Sequence, residues 1–330
     1  MKQVKFITGL MAFGVVSLFA GCGEKENEMT KVTLNEVAHS IFYAPQYVAL
    51  ENGYFTQEGL DLVTGYGADK TMAAVISGEA QIGFMGAEAS VYAYLEGAND
   101  PVINFAQGTQ RAGNFLVARE EMADFQWSDL KGKEVLGGRK GGMPEMVFEY
   151  ILKENGLDPA KDLSIDQSID FGSTAAAFSG GKGEFTVEFE PAATTLEKNG
   201  DGFVIASLGV DSGYVPYTSY SAKTSYVEKH PEIIQAFTDG LQKGVDYVNS
   251  HTAEEIAKVI QPQFKENDPD TITRIVERYQ SQDTWKENLV FEKESFELLQ
   301  DILESAGELE KRADYEKLVT TIYAKEAMKK

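Results

Sequence analysis

Residues 41–60 read Ile41-Phe42-Tyr43-Ala44-Pro45-Gln46-Tyr47-Val48-Ala49-Leu50-Glu51-Asn52-Gly53-Tyr54-Phe55-Thr56-Gln57-Glu58-Gly59-Leu60. Two stretches of strand character flank them. Val32 to Val37 alternates at period two, and Asp61-Leu62-Val63 is short and strand-like. Between them, Ala44 to Asn52 predicts a helix that Gly53 ends. The chain thus opens with a strand, an aromatic loop at His39–Tyr43, a helix and a second strand.

The same alternation runs outward from this unit. Asp69 is placed to cap a helix through Ile76, with Gly78 just past its end. Strands are predicted at Gln81–Met85, Val102–Ala106, Asn114–Ala118, Glu134–Leu136, Leu163–Asp166, Phe185–Glu188 and Phe203–Leu208. Helices are predicted at Ala87–Leu95, Thr174–Ser179, Ala192–Lys198 and from Pro144 to Asn155. Strands alternating with helices argue for α/β architecture with a largely parallel sheet. From Thr224 onward the spacing is helical, near Pro231–Val248, Ala253–Ile260, Pro269–Gln282, Lys293–Ser305 and Tyr315–Lys325.

The chain's start carries a different signal. Met1-Lys2-Gln3-Val4-Lys5 precedes an apolar run from Phe6 to Ala20, which Gly21-Cys22 follows. A basic start, a short apolar core and a small-residue exit is the pattern of a secretory signal. The run is short for a membrane span, which needs roughly 20 apolar residues. Leu18-Phe19-Ala20-Gly21-Cys22 resembles a bacterial lipobox, which implies lipidation of Cys22, the single cysteine. Residues 1–21 are then a signal and 22–30 a flexible tether. One cysteine excludes a disulfide framework. With 52 acidic against 30 basic residues the net charge is −22, and removing residues 1–21 with Lys2 and Lys5 makes it −24. Such acidity argues against nucleic acid, whose phosphates require basic patches.

The opening stretch also resembles a family, the solute-binding proteins of the nitrate, sulfonate, taurine and thiamin-pyrimidine-precursor transporters. Their signature is a proline, then Tyr47-Val48-Ala49-Leu50-Glu51-Asn52-Gly53-Tyr54-Phe55, then Glu58-Gly59-Leu60. Ala74-Val75-Ile76-Ser77-Gly78-Glu79-Ala80-Gln81-Ile82-Gly83, Gly86-Ala87-Glu88, Gly137 to Pro144, Glu190-Pro191, Ala206 to Gly209 and Val215 to Thr218 follow in matching order. The resemblance implies a two-lobed, type II periplasmic-binding-protein (Venus-flytrap) fold with a helical C-terminal tail. It places residues 31–110 and 216–330 in lobe I and 111–215 in lobe II, with the tail wrapping lobe I. It also implies a lipid-anchored, extracytoplasmic monomer that hands a small molecule to an ABC permease and its ATPase. No cofactor or metal is expected.

Ligand candidates sit in the loops that follow strands, where α/β sheets bind ligands. Ser40, Phe42 and Tyr43 lie after the first strand, and the rings could stack on a flat ligand or cap the core. Glu88 starts a helix, as ligand contact or as a first-turn carboxylate favoured by the helix dipole. Gln110 stands beside Arg111 where the chain changes lobe. Arg139, Gly141, Gly142 and Met143 form a glycine loop opening a helix, without the Lys-Ser/Thr end of a P-loop. Thr174 and Glu190 end the set, with Glu188 nearby. Aromatics with Glu88, Glu188 and Glu190 favour a flat nitrogen heterocycle, a pyrimidine precursor first. Alkanesulfonate, taurine or nitrate is the alternative. A pyrimidine-synthase-like enzyme on this fold would need the cysteine-rich iron motif, which the chain lacks. A ligand sensor remains a rival that needs a separate partner.

Overall fold

The computed structural model describes residues 29–330, apart from 68, 69, 139 and 170. The expected signal, Cys22, most of the tether, the Asp69 cap and Arg139 lie outside the described residues. Ten strands form two sheets: β1 Thr30–Glu36, β2 Leu60–Tyr66, β3 Ile82–Met85, β4 Val102–Thr109, β5 Asn114–Ala118, β6 Glu134–Leu136, β7 Ser164–Asp166, β8 Phe185–Phe189, β9 Phe203–Ser207 and β10 Thr218–Lys223.

The first sheet has the order β2-β1-β3-β10-β4 and the second β7-β6-β8-β5-β9. In each sheet four strands share a direction and one opposes them. That one is β10 in the first sheet and β5 in the second. Each opposing strand is the one by which the chain enters its sheet from the other side of the molecule. The chain leaves the first sheet after Thr109, enters the second at Asn114, and returns between Ser207 and Thr218. This is the two-lobed α/β build.

The opening stretch folds for local reasons. The Ser40 hydroxyl caps a 3-10 turn by accepting from Phe42 N. Pro45 occupies the first turn of the helix Ala44–Glu51, where its missing N–H costs nothing. The apolar face of that helix packs on the long helix Pro231–Ser250. The contact is close enough that a Cβ on Gly244 would stand 2.2 Å from the Pro45 carbonyl oxygen.

β10 is the element that periodicity does not reveal. Thr218-Ser219-Tyr220-Ser221-Ala222-Lys223 is rich in hydroxyls, and serine has weak strand preference. Tertiary contacts hold it instead. The Tyr220 ring stacks on Phe84 at 3.9 Å, its hydroxyl donates to Gln46, and Ser219 donates to Asn104.

The tail follows its predicted helices except at the end. There the expected helix Tyr315–Lys325 is two short ones, Tyr315–Leu318 and Ile322–Ala327, because Val319 bridges to Asn104 on the edge of β4. The tail also reaches beyond the first sheet. Arg278 on the helix Pro269–Ser281 donates to Glu190 and, at 2.6 Å, to Glu197. Lys198 donates to Thr271 at 2.6 Å, and Lys153 to the Ser305 carbonyl at 2.5 Å. The tail therefore braces both lobes.

Candidate functional site

The site is built where the two chain crossings pass between the loops after β1, β3 and β6. Each crossing delivers one buried polar group to this junction. Asn114, the first residue of β5, is fully buried, donates to the Pro144 carbonyl at 3.4 Å, and leaves its Oδ1 without a partner. Tyr217, just before β10, is 5% exposed and its hydroxyl has no partner. Burial, followed by the nearby Glu88 charge, pushes that phenol well above its usual range.

Glu88 opens the helix Glu88–Leu95, with its Oε2 buried and unpartnered. Burial lifts its carboxyl to about 7 against a bond from its own backbone. The side chain folds back over Gly86, where a Cβ would stand 2.1 Å from Oε2. A side chain at 86 would displace the carboxyl. One turn on, the Tyr92 hydroxyl donates to the Met146 sulfur at 3.7 Å, so the lobes touch at this point.

Behind these groups lies an aromatic set. Phe42 stands 5.6 Å from Tyr43, 5.8 Å from Tyr217 and 5.1 Å from Tyr279, ring centre to ring centre. All four rings are buried, and Trp285 Nε1 donates to the Phe42 carbonyl. Gly113 has no room for a Cβ, which would meet the Phe42 ring at 2.8 Å.

The glycine loop supplies the opposite wall. Gly141 has φ +84° and donates through its N–H to Glu145 Oε2 at 3.1 Å. Gly142 begins the helix Met143–Glu154, and no side chain caps that start. Glu145 is buried, accepts from Gln167 at 2.6 Å, and lies beside the Glu149 carboxyl. Burial first and then the bond with Glu149 lift Glu145 to about 7, while Lys140 pulls the other way.

The remaining expected residues divide. Glu190 is buried, but its carboxylate accepts from Thr194 N and Thr194 Oγ1, each at 2.9 Å, and from Arg278. It is committed to the helix start and the tail. Its neighbour Glu188 is buried and accepts from Thr186 Oγ1 at 2.6 Å, with Thr174 also bonding its carboxyl. Burial lifts it to about 7, and its Oε2 has no partner. Gln110 donates to the Asp283 carbonyl, and Arg111 donates to Gly209 and Val210 while lying 4.0 Å over the Tyr214 ring. Arg111 ties the two crossings together, and Gln110 ties the outgoing one to the tail. Ser40 serves its cap, and Met143 is buried at the helix start.

Sequence reading missed Asn114, Tyr217, Tyr92 and Glu145. The first two stand at the ends of crossing strands, a position only topology reveals. His39 is a structural residue. Its Nε2 donates to the Gln263 carbonyl at 2.8 Å, and its Nδ1 lies 3.2 Å from Glu36 Oε1 and 3.0 Å from the Tyr47 hydroxyl. The Glu36 bond raises its pKa against partial burial. Among the described residues no group of three or more His, Cys, Asp or Glu is placed to hold a metal ion.

Comparison with known proteins places this geometry. The family described as NMT1/THI5 like matches residues 41–255. "Putative binding protein YtlA" of Bacillus subtilis (strain 168) is 46% identical over 302 residues, covering 91% of this chain and 90% of that protein. The fold is shared with the alkanesulfonate-binding protein SsuA from Xanthomonas axonopodis pv. citri. That pair has a TM-score of 0.71 at 15% identity, over 89% of this chain and 99% of that one. It is shared too with the periplasmic nitrate-binding protein NrtA from Synechocystis PCC 6803, with a TM-score of 0.68 at 14% identity, over 92% and 89%. The chain belongs to the NMT1/THI5-like family.

Proposed function

We propose that the protein is the extracytoplasmic substrate-binding component of an ABC importer. It captures a flat nitrogen heterocycle, a pyrimidine-like ring first, between its lobes and presents it to a permease driven by an ATPase. The observation that carries this reading is the convergence of unpartnered polar atoms at one junction: Glu88 Oε2, Tyr217 OH and Asn114 Oδ1. Buried polar groups in folded proteins are almost always paired, so a local set without partners is what a ligand would complete. The aromatic set beside them supplies apolar ring faces. Hinge closure over the solute would report the loaded state to the transporter. Attachment through lipid on Cys22, and action as a monomer, belong to the same proposal.

A second reading keeps the transport role for an alkanesulfonate, taurine or nitrate. The uncapped start of the helix Met143–Glu154, with Lys140 close by, suits an anion. A thermal-shift panel on residues 23–330 separates the two. Its compounds are aminopyrimidines, flavins, other heterocycles, alkanesulfonates, taurine and nitrate. A ligand at 100 times its dissociation constant stabilises the fold by about 2.7 kcal/mol. A shift with heterocycles supports the first reading, and a shift confined to the anions replaces it with the second. Silence across the panel argues against both. Intact mass of the membrane-extracted protein, with Cys22→Ser as control, tests the anchor.

A further inference from the structure

Resting on the binding role just proposed, we infer that the junction takes its solute as a cation. The Glu88 carboxylate is the counter-charge, and Tyr217 and Asn114 orient the positive group.

Four observations lead there. First, Glu88 forms no ion pair among the described residues, although acidic side chains elsewhere are well supplied. Glu190 and Glu197 share Arg278, Glu58 has Lys243, and Asp166 has Lys182. A buried carboxylate without a cation is costly, and it is normally paired or neutralised. Secondly, the titratable groups near it are phenols: Tyr43, Tyr92 and Tyr217 all lie within reach of its charge. Burial is the main cause that holds each of them protonated, so none supplies a positive charge. Beyond Tyr92 the next groups are Glu145 and Glu308, again acidic, and Lys140 is drawn to Glu145.

Thirdly, the unpartnered atoms beside Glu88 are suited to a donor-bearing ligand. Asn114 Oδ1 only accepts, and the Tyr217 oxygen accepts as well as donates. Fourthly, Tyr43 and Tyr217, both within reach of Glu88, belong to an aromatic set that packs on Phe42 together with Tyr279. Ring faces attract cations. The carboxylate also lies over Gly86, in the space a side chain there would fill. A protonated nitrogen base, such as an amidine or an aminated heterocycle, meets all four conditions. A sulfonate would meet an uncompensated carboxylate instead.

The test is a charge series on one ring, measured by titration calorimetry at pH 7.5 with the chain 23–330. The probes are benzamidinium, neutral benzamide and benzenesulfonate. Benzamidinium is expected to bind at least tenfold more tightly than benzamide, and benzenesulfonate not at all. Glu88→Gln is expected to shrink the difference between the first two probes to about twofold. The order of the three probes on the unaltered chain decides the matter even if that variant folds poorly. Binding that favours benzamide or benzenesulfonate overturns the inference but leaves solute capture standing. No response to benzamidinium at millimolar concentration also overturns it. The binding role itself falls only if the wider solute panel is silent too.

Discussion

Arg278, carried on a tail helix, donates to Glu190 of the second lobe, and both side chains are largely removed from water. The same guanidinium reaches Glu197 and lies 5.3 Å from the Phe115 ring centre. Breaking a buried pair from one side leaves the other charge stranded, at about 3–5 kcal/mol. Arg278→Met is therefore expected to lower unfolding stability by that amount in urea titration. Adding Glu190→Gln should recover a large part of the loss. A double variant no more stable than the single one would show that the pair is not the source of the effect.

Close approach of two helices gives a second expectation. Glycine inside an exposed helix costs about 1 kcal/mol relative to alanine, so Gly244→Ala should stabilise if only propensity mattered. The Pro45 carbonyl leaves no space for the added methyl, and Ala49 Cβ is 3.0 Å away. Overpacking costs about 1–3 kcal/mol. The variant is expected to unfold at a lower temperature, and a raised midpoint in calorimetry would contradict the close contact.

Proton uptake by Glu88 gives a third. Its folded carboxyl is raised from the ordinary 4.5 to about 7 by burial. A carboxyl raised on folding holds its proton longer in the folded state than in the unfolded one. Stability of the ligand-free protein should fall as pH rises from about 4.5 through 7. Glu145 and Glu188 are raised to about 7 and add to the same slope. Glu88→Gln should flatten part of it, so its midpoint should exceed that of the parent most clearly near pH 8. Equal slopes in a midpoint-against-pH series would remove Glu88 from the account.

His39 titrates with the same overall trend from a different cause. Its raised pKa means that the imidazolium stabilises the fold below the unfolded value of 6.5. That contribution is lost as pH rises through the folded value. His39→Gln should be less stable than the parent at pH 5.5 and closer to it at pH 8. The gap would stay constant if the ring acted only by stacking on Phe264.

The α/β plan was legible because burial forces regular spacing. The helix Ala44–Glu51 and strands such as β3 and β5 carry their signals in neighbouring residues. β10 carried none, since Tyr220 is held by Phe84 and Gln46 from distant parts of the chain. The same limit applies to side-chain roles. Glu88 could be picked out beside Gly86 at a helix start. Glu190 looked equally available for ligand, because its true partner Arg278 is 88 residues away. Tyr217 and Asn114 became meaningful only once the two crossings were seen to pass the same point.

The placement of β10 also sets a timetable. It lies between β3 and β4, where Thr218 meets Thr109, and these residues are 109 positions apart. At about 5–20 residues per second of synthesis, that gap is on the order of ten seconds. Until it passes, β3 and β4 present open edges with no strand to join. The second sheet waits almost as long, because β5 is made first and pairs only with β8 and β9, Phe115 meeting Ser207 92 positions on. Both sheets thus need shielding from aggregation as the polypeptide emerges, and β10, the last strand made, is what ends the exposure of the first.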